Sequence, residues 1–393
     1  MEIRQAVVLA AGEGQRLRPF TVYKPKVMLP IANRPVLQYV VEALAQSRIR
    51  RILLVVGYQR EQVMDFFGGG ERFGVQIDYL FQDLQLGTGH ALKQAEEKTD
   101  EVFLVLSGDN IIEAKTLSPL LEQQPPAILL KEQENVSKYG VAVVEGEKVV
   151  ELVEKPSQPP SFLVNTGIYL LSRDIFPYLE EETDLPSAIS RMLREGVEVR
   201  APRTEGTWLD VAYPWDILRL NYFVLRESPS FIGGTVERGA LIKGRVSVGK
   251  GTRIRAGSYI VGPAIIGEHC EIGPYVCIFP ATSIGNGCRL SSFSEIRNSV
   301  LGEDVEVGMG SLVEDSVIDR GTVIRGKFSA PGGETEVRVE GEHHRVRMGV
   351  MIGEHCRIGE NVVLTPGVRV GNRARLRALR VIEEDIPDEA LVL

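Results

Sequence analysis

The sequence predicts an α/β domain with a doubly wound, mostly parallel sheet, followed by a parallel β-helix of hexapeptide repeats. In the first half, short apolar segments alternate with segments of helical periodicity, which is the pattern of βαβ units. In the second half, one aliphatic residue recurs every six positions, which fits neither an α-helix nor an ordinary strand. We expect the two domains at residues 1–228 and 235–393, joined by a short linker.

The composition is that of an ordinary water-soluble globular protein. The chain has 393 residues, of which 44% are hydrophobic and 25% are charged. We find no apolar run of about 18 residues and no secretory leader, so we expect a cytoplasmic protein without a membrane partner. The four cysteines fall in the second half without a C-x-x-C pair, which predicts free buried thiols rather than a disulfide or zinc site.

The first predicted strand spans residues 3–9, and a basic, glycine-containing loop follows it. Gly12 and Gly14 let backbone N–H groups approach a phosphate chain closely. Residues 1–30 contain five Lys or Arg and two Glu, although the whole chain has a formal charge of −8. This local excess of positive charge predicts a small polyanionic ligand rather than nucleic acid. The cations of the loop are Arg16, Arg18, Lys24 and Lys26.

The next segments continue the βαβ pattern and bring a polar side chain to the expected binding edge. Residues 34–48 have the apolar spacing of an amphipathic helix, and residues 52–56 form a continuous apolar strand. Gln82 then precedes a Gly-Thr-Gly turn that opens a helix, so its amide could pair with the edge of a pyrimidine base. His90, at the start of that helix, could contact the ligand, but a lone histidine at a helix start is expected to be structural.

Asp109 is the candidate metal ligand that the strand pattern itself indicates. It follows an apolar strand at 102–106, and ligands of open α/β sheets bind at the carboxyl ends of strands. A carboxylate there is well placed to hold Mg²⁺, which prefers carboxylate and phosphate oxygens. A helix over residues 214–226 is expected to close the domain.

The loop over residues 9–30 resembles a known signature. It reads Leu-x-x-Gly-x-Gly-x-Arg-Leu-x-Pro-x-Thr-x-x-x-Pro-Lys-x-x-x-Pro, which is similar to the loop of sugar-1-phosphate nucleotidylyltransferases. With the β-helix, nearly the whole chain resembles the archaeal-type bifunctional sugar-1-phosphate nucleotidylyltransferase/acetyltransferases, which are GlmU-like. The resemblance implies a left-handed β-helix and Mg²⁺-dependent transfer of a nucleotidyl group from a nucleoside triphosphate to a sugar 1-phosphate.

The same resemblance assigns roles to individual residues. It implies catalytic roles for Arg16 and Lys26, and it makes Asp109 and Asp210 the Mg²⁺ ligands. The nucleotide contacts that it implies are Leu9, Ala11, Gly12, Gly14, Gln82, Gly87 and Thr88. The sugar-phosphate contacts that it implies are Gly140, Glu154, Lys155 and Asn165. The Leu-Gly-Thr-Gly-His-Ala segment is most similar to members that use UTP, but UTP or dTTP and N-acetylglucosamine or glucose 1-phosphate all stay open.

The hexapeptide register runs without a break from Val236 to Ile296 and resumes from Ile352 to Ile382. Each aliphatic residue is expected to point into a triangular prism, with glycine at a corner. The resemblance to the β-helices of acyltransferases implies a homo-oligomer, a trimer or a multiple of one.

Two alternative functions remain open, a second acetyltransferase activity and a non-catalytic regulatory subunit that binds nucleotide sugars. The resembling family uses a histidine base in a Pro-His-Leu-x-Tyr segment, whereas the corresponding stretch here, 308–312, contains Met309, which cannot accept a proton. We therefore expect acetyl transfer to be lost. Retention of both metal carboxylates argues against a binding-only subunit. The histidines expected to face solvent are His269, His343, His344 and His355.

Overall fold

A computed structural model describes residues 3–134, 136 and 138–393 of the protein. The chain divides into two compact units by the contacts that its residues make. The first unit comprises the chain up to Glu13, Lys24–Met28 and Pro35–Asp210. The second comprises Gly14–Tyr23, Leu29–Arg34 and Val211–Leu393. The boundary near residue 228 stays a prediction.

The first unit is built on one large sheet with helices on both sides. Its strands are β1 (Gln5–Ala10), β2 (Arg51–Val56), β3 (Gln76–Phe81), β4 (Val102–Ser107), β5 (Asn110–Ile112), β6 (Ala127–Glu132), β7 (Gly140–Glu145), β8 (Lys148–Glu154), β9 (Leu163–Ser172), β10 (Val199–Arg200) and β11 (Trp208–Asp210). Its helices are α1 (Val36–Gln46), α2 (Arg60–Phe67), α3 (Thr88–Lys93), α4 (Ala114–Leu121) and α5 (Leu185–Arg194). The large sheet has the order β3-β2-β1-β4-β9-β6-β10-β8-β7, and β5 pairs separately with β11.

The predicted doubly wound sheet is confirmed. Strands β3, β2, β1 and β4 are parallel neighbours, and β9 joins β4 in the antiparallel sense. Successive side chains of β1 alternate between two cores. Ala6 and Val8 pack on the side of α1, α2 and α4, whereas Val7 packs on the side of α3 and α5. This alternation follows from the period-2 geometry of a strand that is buried on both faces.

The carboxyl ends of two central strands bring the candidate loops together. Leu9 of β1 is the register partner of Ser107 in β4, so the residues that follow these strands leave the sheet at the same edge. In the neighbouring two-stranded sheet, Asp210 is the register partner of Asn110. The strand topology therefore places the segments that carry Gly12, Asp109 and Asp210 at one edge of the first unit.

The second unit contains a left-handed β-helix with three parallel faces, as predicted. The first face comprises Phe231–Ile232, Val246–Val248, Ala264–Ile266, Thr282–Ile284, Val300–Leu301, Val317–Ile318, Met351–Ile352 and Arg369–Val370. The second comprises Thr235–Val236, Arg253–Ile254, Glu271–Ile272, Arg289–Leu290, Glu306–Val307, Val323–Ile324, Arg357–Ile358, Arg375–Leu376 and Leu391–Val392. The third comprises Leu241–Lys243, Tyr259–Val261, Cys277–Ile278, Glu295–Arg297, Leu312–Glu314, Ser329–Ala330, Val363–Leu364 and Val381–Ile382. Helix α6 (Asp216–Glu227) precedes these coils.

The residues that recur every six positions form the interior of the prism. From Val248 to Ile382 they are buried, as the repeat predicts. Val236 and Ile242 are the exceptions, because they lie in the first coil, whose strands pair on one side only. A terminal coil of a solenoid has no neighbour to cover its outer side.

The slip in the repeat has two structural causes. Ile284 pairs with Leu301 and Leu301 pairs with Ile318, so two successive coils are each one residue shorter than three hexapeptides. Farther along, Ile318 pairs with Ile352, because a hairpin is inserted between these two coils. The hairpin consists of Gly333–Val339 and Glu342–Met348.

Side-chain amides tie the two short N-terminal segments into the second unit. The Oδ1 of Asn221 in α6 accepts a hydrogen bond from the backbone N–H of Ala32 at 3.0 Å. The Nδ2 of Asn221 donates to the carbonyl of Ala281 at 2.9 Å. The Nδ2 of Asn372 donates to the carbonyl of Pro19 at 2.9 Å. These hydrogen bonds satisfy the polar atoms of two buried side-chain amides, as nearly all buried polar groups require.

The prediction of exposed histidines is wrong at one position. His344, in the inserted hairpin, packs against Tyr213 and Trp215 with ring-centroid separations of 4.7 and 5.3 Å. The fold of the hairpin brings the His344 ring against these aromatic rings. The charged residues around His344 in the sequence give no sign of this packing. The histidines that are exposed as predicted are His269, His343 and His355.

All four cysteines are free, as predicted, and their burial allows a prediction about reactivity. Cys277 is partly exposed, whereas Cys270, Cys288 and Cys356 are buried. Burial raises the pKa of Cys356 to about 11, which keeps this thiol protonated at neutral pH. Brief treatment of the folded protein with iodoacetamide should therefore alkylate Cys277 first, as measured by peptide mass spectrometry. Labelling that begins at Cys356 would contradict the packing of the prism, and labelling in denaturant provides the control.

Candidate active site

A cavity of about 310 Å³ lies at the carboxyl ends of β1 and β4. The structure brings eight of the predicted site residues to its wall. They are Leu9, Ala11, Gly12, Lys26, Gln82, Gly87, Thr88 and Asp109. Open α/β sheets bind ligands at this edge, so the cavity is the candidate nucleotide site.

Lys26 and Asp109 form an ion pair at this cavity. The Nζ of Lys26 donates to the Oδ2 of Asp109, and the Oγ of Ser107 donates to the Oδ1 at 2.5 Å. Burial alone would raise the pKa of Asp109, but the charge of Lys26 and these hydrogen bonds outweigh it, so the pKa is lowered. Asp109 is therefore ionised at neutral pH, and it holds a lysine side chain at the cavity wall.

Asp210 lies beside this pair through the small sheet. It is opposite Asn110, the residue that follows Asp109. Its Oδ1 accepts a hydrogen bond from the hydroxyl of Tyr139 at 2.7 Å. The strand register thus places Asp210 opposite the residue next to Asp109, and the joint metal-binding role of the two carboxylates stays a prediction.

The donor set at this edge fits a divalent cation. Asp109 and Asp210 supply carboxylate oxygens, the ligands that Mg²⁺ prefers, and proteins often hold Mg²⁺ by one or two carboxylates plus substrate phosphates. Asn110 adds a buried amide oxygen without a hydrogen-bond partner among the described residues. Buried acceptors are nearly always satisfied, so this oxygen is consistent with a cation or an additional donor nearby.

Gln82 is fixed in a defined orientation. It is almost fully buried, and its Nε2 donates to the carbonyl of Gly87 at 3.1 Å and lies 2.9 Å from the Nδ1 of His90. These two contacts occupy both amide hydrogens when Nδ1 of the histidine is the acceptor. The amide oxygen is then the atom with which Gln82 can bind a donor. His90 orients Gln82, which is the structural role predicted for it.

The glycine at residue 87 meets a conformational and a steric requirement. Its φ is 136°, in a region that residues with side chains rarely adopt. A Cβ here would lie 2.6 Å from the carbonyl oxygen of Thr183 and 2.8 Å from the Oδ1 of Asp184. The cavity wall therefore depends on close approach of two backbone segments.

A second cavity of about 670 Å³ contains the residues predicted to bind the sugar phosphate. Those residues are Gly140, Glu154, Lys155 and Asn165. Thr88 and Asp184 line both cavities, so the two cavities meet at these side chains. A substrate bound in one cavity can thus approach a substrate bound in the other.

Several residues of the second cavity are not among those that the sequence predicts. Glu182 and Asp184 precede α5, and Arg194 ends it, and all three line the cavity. Their only sequence signal is an Asp-Leu-Pro helix start, and Asp184 makes no side-chain cap hydrogen bond with that helix. A carboxylate at a helix start looks like a cap, so its position in a cavity could not be predicted.

Gly14 and Arg16 belong to the second unit and do not line either of these cavities. The Nε of Arg16 donates to the Oε2 of Glu340 in the inserted hairpin at 2.6 Å. This hydrogen bond raises the pKa of Arg16, which is already high. The predicted nucleotide contact of Gly14 and catalytic role of Arg16 stay predictions.

The doubly wound sheet, the cavity at the carboxyl ends of its strands and the lysine and aspartate on the cavity wall are features of a nucleotidyl-transferring enzyme. Residues 5–227 match the family profile described as Nucleotidyl transferase. Residues 245–280 match the profile Bacterial transferase hexapeptide (six repeats), and residues 349–378 match Hexapeptide repeat of succinyl-transferase. The chain therefore belongs to the nucleotidyl transferase family, as its motifs predict, and enzymes of this family generally use a divalent metal.

Similar proteins extend along nearly the whole chain. The Bifunctional protein GlmU of Methanocaldococcus jannaschii is 33% identical, with 98% of this chain and 97% of that protein covered. The bifunctional sugar-1-phosphate nucleotidylyltransferase/acetyltransferase of Sulfurisphaera tokodaii is 32% identical, and the match covers 97% of this chain and 98% of that protein. The glucose-1-phosphate thymidylyltransferase of Streptomyces antibioticus is 34% identical, and the match covers 88% of this chain and 99% of that protein.

A solved structure supports the fold of the first half. It is a crystal structure from Bacillus anthracis of a protein provisionally named glucose-1-phosphate thymidylyltransferase, in complex with a sucrose. Its sequence is 29% identical to this one, and the two folds superpose with a TM-score of 0.52. The match covers 58% of this chain and 96% of the chain in that crystal structure.

Proposed function

We propose that the protein transfers a nucleotidyl group from UTP or dTTP to N-acetylglucosamine 1-phosphate or glucose 1-phosphate, with Mg²⁺, and releases pyrophosphate. One observation carries this proposal. A cavity with the Lys26–Asp109 pair meets a cavity with Lys155 at Thr88 and Asp184. Two adjoining cavities that each carry a lysine fit a reaction between two phosphorylated substrates.

The reaction needs alignment and charge neutralisation rather than a protein base. An oxygen of the sugar phosphate attacks the α-phosphorus of the triphosphate, and the bond between the α-phosphorus and the bridging oxygen breaks. Pyrophosphate leaves with that electron pair. The attacking phosphate has a second pKa of about 6, so it is already largely ionised at neutral pH. Bound Mg²⁺ would supply positive charge to the phosphates.

Positions on the cavity walls support the roles assigned to the two lysines, and the resemblance of the motifs alone supports the role assigned to Arg16. Lys26 is assigned to the charge at the α-phosphate because it lies on the wall of the first cavity. Lys155 is assigned to the sugar phosphate because it lies on the wall of the second. Asp109 and Asp210 are assigned to Mg²⁺, and Arg16 with the loop backbone is assigned to the pyrophosphate. Fixed charges of this kind stabilise a phosphoryl-transfer transition state.

Gln82 supports a preference for uracil or thymine. Its amide hydrogens contact Gly87 and His90, which leaves the amide oxygen as an acceptor. Uracil and thymine present an N3–H donor, whereas cytosine presents an acceptor at that position. A single acceptor on the protein therefore favours UTP and dTTP over CTP but does not separate one from the other.

A panel assay of pyrophosphate release tests the proposal. Five nucleoside triphosphates are crossed with glucose 1-phosphate, N-acetylglucosamine 1-phosphate and other sugar 1-phosphates, with and without Mg²⁺. The expected result is Mg²⁺-dependent release with UTP or dTTP and one or both named sugars. Binding of nucleotide sugars without turnover of any pair would instead support the regulatory alternative.

Acetyl transfer is a second candidate because two of the relatives are named as bifunctional. Met309 is exposed at a corner of the β-helix and offers no basic atom. We therefore keep the expectation that acetyl transfer is lost. Incubation with acetyl-CoA and an amino-sugar phosphate should consume no acetyl-CoA, and consumption would establish the second activity.

We also propose a cytoplasmic homo-oligomer assembled through the β-helix, a trimer or a multiple of one. The hexapeptide-repeat profiles support the oligomer, because such domains typically assemble in this way. No helix within the described ranges is long and apolar enough to cross a membrane. Light scattering coupled to size exclusion measures the number of chains.

A further inference from the structure

Tyr139 contacts the carboxylate of Asp210 from a direction that packing fixes. Its hydroxyl donates to the Oδ1 of Asp210 at 2.7 Å. Its ring lies edge-on to Trp208 with a centroid separation of 5.2 Å. Trp208 is itself held, because its Nε1 donates to the carbonyl of Thr166 at 2.9 Å. The tyrosine hydroxyl is therefore placed by the packing of its partly buried ring against a buried, hydrogen-bonded tryptophan.

The backbone of Tyr139 holds a second functional segment. The N–H of Lys155 donates to the carbonyl of Tyr139 at 3.2 Å. Lys155 has a φ of 42°, in the left-handed region that residues with a side chain rarely adopt. Such a conformation persists only when its surroundings hold it. Tyr139 also precedes Gly140, which lines the same cavity as Lys155.

We infer that Tyr139 is a positioning residue that sets both the metal-binding carboxylate of Asp210 and the sugar-phosphate lysine, Lys155. The hydroxyl orients Asp210, while the packed ring keeps the main chain where its carbonyl supports Lys155. This inference rests on the proposed function, because it takes Asp210 as a metal ligand and Lys155 as a phosphate contact. It adds a link between the two substrate sites.

Two substitutions separate the contributions of the hydroxyl and the ring. Tyr139→Phe removes the hydrogen bond to Asp210 and keeps the ring against Trp208. Tyr139→Ala removes both and frees the chain beside Lys155. Loss of a hydrogen-bond partner of a metal ligand typically weakens metal binding about 10- to 100-fold. The phenylalanine variant should therefore change metal binding alone, and the alanine variant should also raise the KM for the sugar 1-phosphate.

Mn²⁺ is the probe for metal binding, and electron paramagnetic resonance of free Mn²⁺ measures it without substrates. We expect Tyr139→Phe to raise the Kd for Mn²⁺ about tenfold, by loss of a contact to a metal ligand. We also expect a similar rise in the Mg²⁺ concentration needed for activity, with kcat largely restored at saturating Mg²⁺. The matched control is Tyr79→Phe, which removes a hydroxyl bonded to the carbonyl of Gly68 at 2.8 Å and lines neither cavity.

The outcomes distinguish this inference from the proposed function. An unchanged Mn²⁺ affinity in Tyr139→Phe overturns the role of the hydroxyl, even if the enzyme is active. An unchanged KM for the sugar phosphate in Tyr139→Ala overturns the link to Lys155. Absence of Mn²⁺ binding in the unmodified protein overturns the metal assignment of Asp210. Absence of pyrophosphate release with every substrate pair overturns the proposed function, while the Mn²⁺ measurement still decides the role of Tyr139.

Discussion

Replacing Lys26 by alanine should lower kcat about 100- to 1,000-fold, which corresponds to about 3–4 kcal/mol of transition-state stabilisation. The ammonium group lies at the wall of the first cavity and is held there by Asp109. In the proposed reaction its removal takes away positive charge where the α-phosphate develops negative charge, and it leaves the partly buried carboxylate of Asp109 without its ion pair. Pyrophosphate release under saturating substrates measures the effect.

The matched control is Lys148→Ala, which removes an exposed lysine from β8. Lys148 pairs with Glu198 on the surface and lines neither cavity. Exposed ion pairs contribute little to stability, so this variant should retain its kcat. A Lys26→Ala variant with near-normal pyrophosphate release and an unchanged unfolding midpoint would exclude Lys26 from the chemistry.

Replacing Leu290 by alanine should lower the free energy of unfolding of the β-helix by about 2–5 kcal/mol. Leu290 is 1% exposed and stacks between Ile272 and Val307 on the second face. In a solenoid, each coil is stabilised mainly by its neighbours, so a cavity at one coil weakens two interfaces. Denaturation by urea, followed by circular dichroism, measures the loss.

Leu379→Ala is the control for this effect. Leu379 is 77% exposed, and surface substitutions usually change stability by less than about 0.5 kcal/mol. Equal losses for the two leucines would contradict the arrangement in which residues repeated every six positions fill the prism.

The fold could be predicted because its signals are local and repeated. An apolar strand followed by helical periodicity predicts β1, α1 and β2, and hexapeptide spacing predicts the prism. The incomplete burial of Val236 and Ile242, the first members of the repeat, could not be predicted in this way. Their exposure results from lying at the end of the solenoid rather than from their own spacing.

Residues of the candidate site could be predicted only where they belong to a recognisable sequence motif. Lys26 and Asp109 could be assigned from the basic loop and from the end of an apolar strand, and the structure brings them together. Asp184 and Arg194 come from a helix start and a helix end far along the chain. Their approach to the second cavity depends on tertiary packing, which leaves no spacing pattern in the sequence.

The hydrogen bonds of Asn221 and Asn372 to N-terminal segments bear on how fragments of this protein would behave. Leu17, Phe20 and Ile31 are almost fully buried in the unit that contains the β-helix. A truncation ending near residue 228 would keep Asn221 beside Ala32 but would remove the β-helix residues of the same unit, including Asn372, which bonds Pro19, and Ala281, which bonds Asn221. An isolated N-terminal fragment is therefore expected to aggregate or to be cut early by proteases in its signature loop.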